Sequence, residues 1–267
     1  MAKLILKKYM NLFKKLLECS LMSDMEYKVN FILRATVEFS YLIIGLVFFE
    51  VIFMNIDSIG GWGKYEVFML AIITNLFDSV ITMFFQGGLS TIPQYINDGS
   101  LDLILLKPVN KRFYLTFSRI IMPQVINLVL NLMIMIYVLA KMDVTLTIGK
   151  VIMFVLLCLI GVAIMYNILF LIMIVSFWTI KVDIGVNLFY QLFNIGNKPM
   201  TIFSGLLQKV FLYIVPIFIA FSYPIAYLQG AINAVNVLIA VGITIILFIF
   251  TNIVFKRGLK KYSSACS

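Results

Sequence analysis

Histidine is absent from the 267 residues, and Asp, Glu, Lys and Arg together make up only 12% of them. Soluble domains carry about 25% charge, so the chain lacks the polar surface of one. Without histidine, the commonest proton relay and metal ligand is missing. The three cysteines, Cys19, Cys158 and Cys266, lie far apart and form no metal or redox spacing. No phosphate-binding loop is present, because Gly149-Lys150 lacks the upstream glycine at the required distance. Nothing resembles a catalytic Ser, Cys or metal cluster. The chain is therefore not expected to be an enzyme by itself or to hold a cofactor. The N-terminus lacks a short apolar core followed by a small-residue cleavage site, so no cleaved signal peptide is expected.

What the chain has instead is apolar length. Hydrophobic residues make up 63% of it, in blocks long enough to cross about 30 Å of hydrocarbon as helix. Backbone amides in lipid must be satisfied within the segment, which favours helices. The blocks are not alternating ten-residue segments, which argues against a β-barrel. The expected fold is all-α and integral to the membrane, a single domain over 1–267. Residues 1–30 form an interfacial helix, 31–255 a six-helix membrane domain and 256–267 a polar tail. The spans are expected at about 31–54, 65–86, 120–140, 151–178, 210–228 and 232–255. Pro216 and Pro224 make the fifth the least regular, with a broken or re-entrant course open to it.

In residues 1–30, Ile5, Tyr9, Leu12, Phe13, Leu16 and Leu17 recur at helical spacing, with Lys3, Lys7, Lys8, Lys14 and Lys15 mostly off that stripe. This predicts an amphipathic helix lying in the interface. Six spans put both termini on one side. Basic residues number 17 on that side and three on the other, which places the termini and the two long loops in the cytoplasm of a multi-pass protein of the cytoplasmic membrane. The net charge of +9 then reads as topology and anionic lipid, with no nucleic-acid partner.

A few polar residues fall inside the spans. Arg34 and Glu38 are four apart and share a helix face, either as an anchoring pair or as a latch. Asp78 is the acid deepest in a span, suited to packing, to a pore wall or to a proton or cation. Asn127 and Asn131, also four apart, suit helix–helix glue or a substrate path. A 179–209 segment of lower hydrophobicity holds an amphipathic stripe of Val182, Val186, Phe189 and Phe193. The most informative loop is 96–114, INDGSLDLILLKPVNKRFY. Gly99 and Ser100 predict a helix start and Pro108 a stop. Between them Leu101, Leu103, Ile104, Leu105 and Leu106 make a very apolar short helix. Such a helix outside the hydrocarbon invites a protein partner or lies on the membrane.

DGSLDLILLKPV at 98–109 resembles the signature of one branch of the ABC type 2 permeases, the membrane subunits of ATP-binding-cassette exporters. Gly60-Gly61-Trp62, NKPMTIF at 197–203, YPIAYLQG at 223–230 and FKRGLKKYSSA at 255–265 agree in order along the chain. The resemblance implies a permease paired with a second one, identical or similar, and with two separate ATPase subunits that hold ATP and Mg. It implies that Gly99, Leu101, Asp102, Leu103, Leu105, Leu106, Lys107 and Pro108 form an ATPase-coupling helix, flanked by Lys111 and Arg112. It makes 179–198 a second cytoplasmic contact and the cargo a peptide, antibiotic, lipid or other amphiphile moved outward. Residues 210–228 carry few polar groups that could define a hydrophilic cargo. The rival readings are an ion-coupled secondary transporter built on Asp78 and a non-transporting scaffold or sensor.

Overall fold

The computed structural model describes residues 2–26, 28–179 and 183–262. Its named elements are helical throughout. Helix α1 (Ala2–Glu26) leads into α2 (Lys28–Phe53). A loop closed by reciprocal bonds between Ile59 and Trp62 precedes α3 (Lys64–Ile81). A π turn, Thr82–Gln86, carries α3 into α4 (Gly87–Leu89), and α5 (Ile92–Asn97) follows. A connector of α6 (Leu101–Leu105) and α7 (Lys111–Phe117) reaches α8 (Gln124–Lys141) and then α9 (Ile148–Ile174). The last part holds α10 (Asp183–Gly196), α11 (Gly205–Lys209), α12 (Ile217–Phe221), α13 (Tyr223–Leu228) and α14 (Ala234–Lys261).

The long helices begin where the sequence supplies caps. Glu66 in the first turn of α3 accepts from the Gly63 amide at 2.7 Å. Thr147 accepts from the Lys150 amide at the start of α9. Asn233 accepts from the amides of Val235 and Asn236 at the start of α14. Each satisfies donors that the helix itself leaves open.

Five helical stretches are long and apolar enough to cross a membrane: Val29–Phe53, Lys64–Asn97, Gln124–Lys141, Ile148–Phe177 and Ala234–Lys261. They match the expected first, second, third, fourth and sixth spans. The second is longer than expected, because the helical path continues through Gly87 instead of giving way to a long polar loop. The third starts a few residues later, behind Pro123, which stands at the helix N-cap. The sixth runs on to Lys261 and so absorbs the first half of the expected tail. Ser263, Ser264 and Ala265 lie outside the described residues.

The fifth passage is not where the hydropathy put it. Residues 210–228 break into a π turn, α12 and α13 around Pro216 and Ser222. Helix α10 makes the crossing instead. Its first turns lie beside Ile172, near the end of α9, where a Cβ on Gly185 would sit 2.6 Å from that side chain. Just past its last turn, Thr201 donates to the Gly60 carbonyl at 2.6 Å in the loop between α2 and α3. So Asp183–Gly196 is a passage through the bundle and does not lie along the terminal face, where only its first turn could meet a partner. The stripe is real all the same. Phe189 and Phe193 are buried, and Phe193 packs on Phe221. Val182 lies outside the described residues.

The stretch from Gly205 to Leu228 then dips into the bundle from the Gly60 side and returns. At its deepest, Ala220 and Phe221 meet Gly161 of α9 and Phe77 of α3. Pro216 and Ser222 interrupt the helix there, and irregular backbone at this depth is tolerated because protein surrounds it. Residues 217–221 are all fully buried. Helices α9 and α14 run parallel, as the Asn167–Thr251 and Phe177–Phe255 contacts show. Helix α1 and the end of α14 both meet the connector, through Lys8 on Pro108 and Tyr262 on Gly99, and so lie on one face, called the terminal face below. Helix α3 is the centre of the bundle, with Val67, Leu70, Ile73, Phe77 and Ile81 buried against α8 and α9. In lipid this packing is held by close van der Waals contact more than by water exclusion.

Candidate functional site

The connector on the terminal face has two parts of opposite character. Gly99 adopts φ +75°, a left-handed conformation open mainly to glycine, and turns the chain out of α5. The Asp98 carboxylate accepts from the amide and hydroxyl of Ser100, which holds its pKa below the ordinary carboxylate value. Helix α6 follows. Leu101 and Ile104 are buried, and Leu105 packs half-buried on the same core. Leu103 and Leu106 are 67% and 80% exposed. Four leucines that look alike in sequence thus split between holding the helix down and facing outward. The helix is shorter than Gly99–Pro108, because the chain turns at Leu106 before the proline is reached.

The basic residues after α6 also divide. Lys107 donates to the Tyr114 hydroxyl at 2.5 Å and sits 3.9 Å over its ring. Lys111 donates to the Lys107 carbonyl. Asn110 caps α7 by accepting from the Phe113 amide.

Arg112 does not flank the outward-facing helix, contrary to expectation. It is buried. Its Nε donates to the Tyr166 hydroxyl at 3.0 Å and its Nη2 to Asn167 Oδ1 at 2.8 Å, both on α9. Its Nη1 donates to Asn252 Oδ1 at 2.9 Å and to Thr251 Oγ1 at 3.3 Å, both on α14. Phe170 and Phe248 stack on the guanidinium at 4.3 and 4.4 Å. The planar fork suits several acceptors and two ring faces at once. Backbone packing fixes the same part of the connector, since a Cβ on Gly88 of α4 would lie 2.3 Å from the Leu115 carbonyl.

Helix α1 clamps the connector at both ends. Tyr9, Leu12, Phe13, Leu16 and Leu17 of the expected stripe are half-buried, as are Ser20 and Asp24 farther along; the side chains of Lys3 and Ile5 lie outside the described residues. Tyr9 and Phe13 pack edge-on against Phe113 and Phe117. Lys8 donates to the Pro108 carbonyl, and the Asn110 amide donates to the Tyr9 hydroxyl. Farther along, Ser20 and Asp24 accept from the amides of Ile120 and Met122. The C-terminus joins the same region, with the Tyr262 hydroxyl bonded to the Gly99 carbonyl.

Of the polar residues within the spans, the two pairs spaced four apart do not bond as their spacing suggested. Arg34 and Glu38 form no ion pair; Glu38 accepts instead from Gln124 Nε2 of α8 at 3.1 Å. The ion pair within 4 Å among the described residues joins Glu50 to Lys64 across the α2–α3 turn. Arg34 lines a small polar cleft with Asp24, Asn30 and Arg119. Asp78 is half-buried on α3, one turn before the π segment in which Thr82 donates to Gln86 and Gln86 bonds the Tyr190 hydroxyl. Asn127 donates to Gln124 and Asn131 to the Asn127 carbonyl, both within α8, leaving their side-chain carbonyls without a partner. They do not bridge helices, because a short amide reaches its own helix's preceding turn first.

The family model described as ABC-2 family transporter protein matches residues 39–266. The chain belongs to this family. No curated protein and no solved structure matches it. The ABC-2 permease is thus a multi-pass membrane component of an ABC transporter, of a kind that carries no ATPase of its own and works with ABC ATPase subunits. The match takes in the whole connector and every long helix from the second half of α2 onward. Helix α1, Arg34 and Glu38 precede it.

Sequence reasoning missed the acceptors around Arg112. Tyr166 and Asn167 sat unnoticed in the most apolar span, and Thr251 and Asn252 in another. A signal was present, since adjacent hydrogen-bonding residues inside a span seek a partner. Nothing in the sequence said that the partner was an arginine of the connector.

Proposed function

We propose that this ABC-2 permease is the membrane half of an exporter, moving a hydrophobic or amphipathic cargo outward on ATP hydrolysed by two separate ATPase chains. ATP and Mg belong to those chains. A second permease, identical or similar, completes the pathway. The observation that carries this reading is α6, a short helix seated by Leu101 and Ile104 that presents Leu103 and Leu106 outward. Exposed leucines on a well-seated helix suit a groove on a partner. Helix α7 joins α6 to α9 and α14 through Arg112, so a push on α6 is passed to helices on the far side of the bundle. Packed elements carry such shifts as rigid units.

The terminal face is read as cytoplasmic. Lys198 and Lys209 move to the opposite face once α10 is the crossing, which lowers the charge imbalance and keeps its sign. Helix α2 supports a second permease or lipid beside it, since Val37, Tyr41, Ile44, Phe48 and Val51 all face outward.

The test is co-purification with the ATPase. Leu103→Asp and Leu106→Asp are expected to release the ATPase from a permease that still elutes as a folded particle, and to abolish ATP-driven cargo uptake into inverted vesicles. An intact complex in both variants sinks the assignment of α6. Cargo movement that persists without the ATPase and follows a proton gradient favours the secondary-transporter reading built on Asp78.

A further inference from the structure

Arg112 has more positive charge than its surroundings answer. Its four hydrogen bonds go to a phenol, two amide oxygens and a threonine hydroxyl, all neutral. No carboxylate lies within 4 Å of it among the described residues. Neutral acceptors satisfy N–H geometry, but a buried charge still lacks a counter-ion. One of the guanidinium's five N–H groups is left over.

Arg112 also lines a cavity of about 440 Å³. Phe85, Phe113 and Phe117 form one side, and Leu159 and Phe248 the other. Leu159 of α9 is 66% and Phe248 of α14 46% exposed, so the cavity is open on the outer side of these helices, where lipid would stand. Arg112 lies in the terminal-face half of both helices, beside Asn167, ten residues before the end of the α9 segment at Phe177, and beside Thr251, ten before the end of α14 at Lys261.

We propose that this cavity binds the acidic head of an anionic amphiphile, with the head against Arg112 and its chain along the aromatic wall. Charge complementarity selects the acid, and the apolar lining and lateral opening select a molecule with a hydrocarbon tail over a free anion. Binding needs neither ATP nor the ATPase, so it stands or falls separately from the exporter reading.

The full chain in detergent, titrated with dioleoylphosphatidylglycerol or dioleoylphosphatidylcholine and read by native mass spectrometry, tests this. The acidic lipid is expected to be retained about tenfold better, the scale of one charge-assisted hydrogen bond. Arg112→Gln should bring the two lipids to near parity. Ala163→Phe, which fills the cavity while leaving Arg112 and its partners in place, should remove retention of the acidic lipid. It keeps the test decisive if Arg112→Gln fails to fold. Equal retention of both lipids by the wild-type chain overturns the proposal, as does a preference that survives Ala163→Phe. Inorganic phosphate that displaces the lipid at equal concentration overturns the choice of an amphiphile.

Discussion

Helices α6 and α7 are neighbours in one connector, yet they answer to different masters. Helix α6 uses Leu101, Ile104 and Leu105 to hold itself down and exposes Leu103 and Leu106. Helix α7 carries a cation and buries it among acceptors on two other helices. The contrast teaches that an apolar residue on the surface and a charged residue in the interior each mark a join. One points out of the chain and the other into it. The same logic separates α2 from α3. Both are apolar enough to span, but α2 buries little beyond Ala35 and Leu42, whereas α3 is the core.

The comparison breaks most sharply at Arg112. Arg112→Met should destabilise the folded permease by about 2–4 kcal/mol, because it leaves several buried acceptors unsatisfied at once. Thermal unfolding in detergent measures this as a clear fall in Tm. Next comes Gly88→Val, which forces α4 off the Leu115 carbonyl and should cost about 1–3 kcal/mol, read the same way. Tyr9→Phe removes the acceptor for the Asn110 amide at about 0.5–1.5 kcal/mol. Its mark should be faster hydrogen exchange confined to residues 108–112, with Tm nearly unchanged. Leu106→Asp should move Tm least, within about 0.5 kcal/mol as for other exposed positions, despite its effect on the partner. If Leu106→Asp unfolds the chain as readily as Arg112→Met, the division between α6 and α7 is wrong.

Much of this architecture was legible as composition. A run of some 20 apolar residues has few options in lipid, so five of six passages followed from hydropathy. The fifth did not, because hydropathy ranks apolar content and not depth. Val210–Leu228 is apolar enough to span but carries Pro216, and it fills the bundle as an in-and-out stretch. Helix α10 is more polar, yet it crosses, because Phe189 and Phe193 find Phe221 and the core. The Arg34–Glu38 spacing was equally suggestive and equally silent, since Gln124 on another helix competes for Glu38.

The sequence by itself determined the class of protein, the family and the place of the apolar helix in the connector, because each rests on local runs of residue type. Only the tertiary structure decided which leucines of that helix face outward and what Arg112 serves. Those outcomes depend on groups brought from far along the chain. Tyr166, Asn167, Thr251 and Asn252 meet Arg112 only when α9 and α14 lie side by side. Burial and hydrogen-bond partnership are properties of that packing and are not written in any one segment.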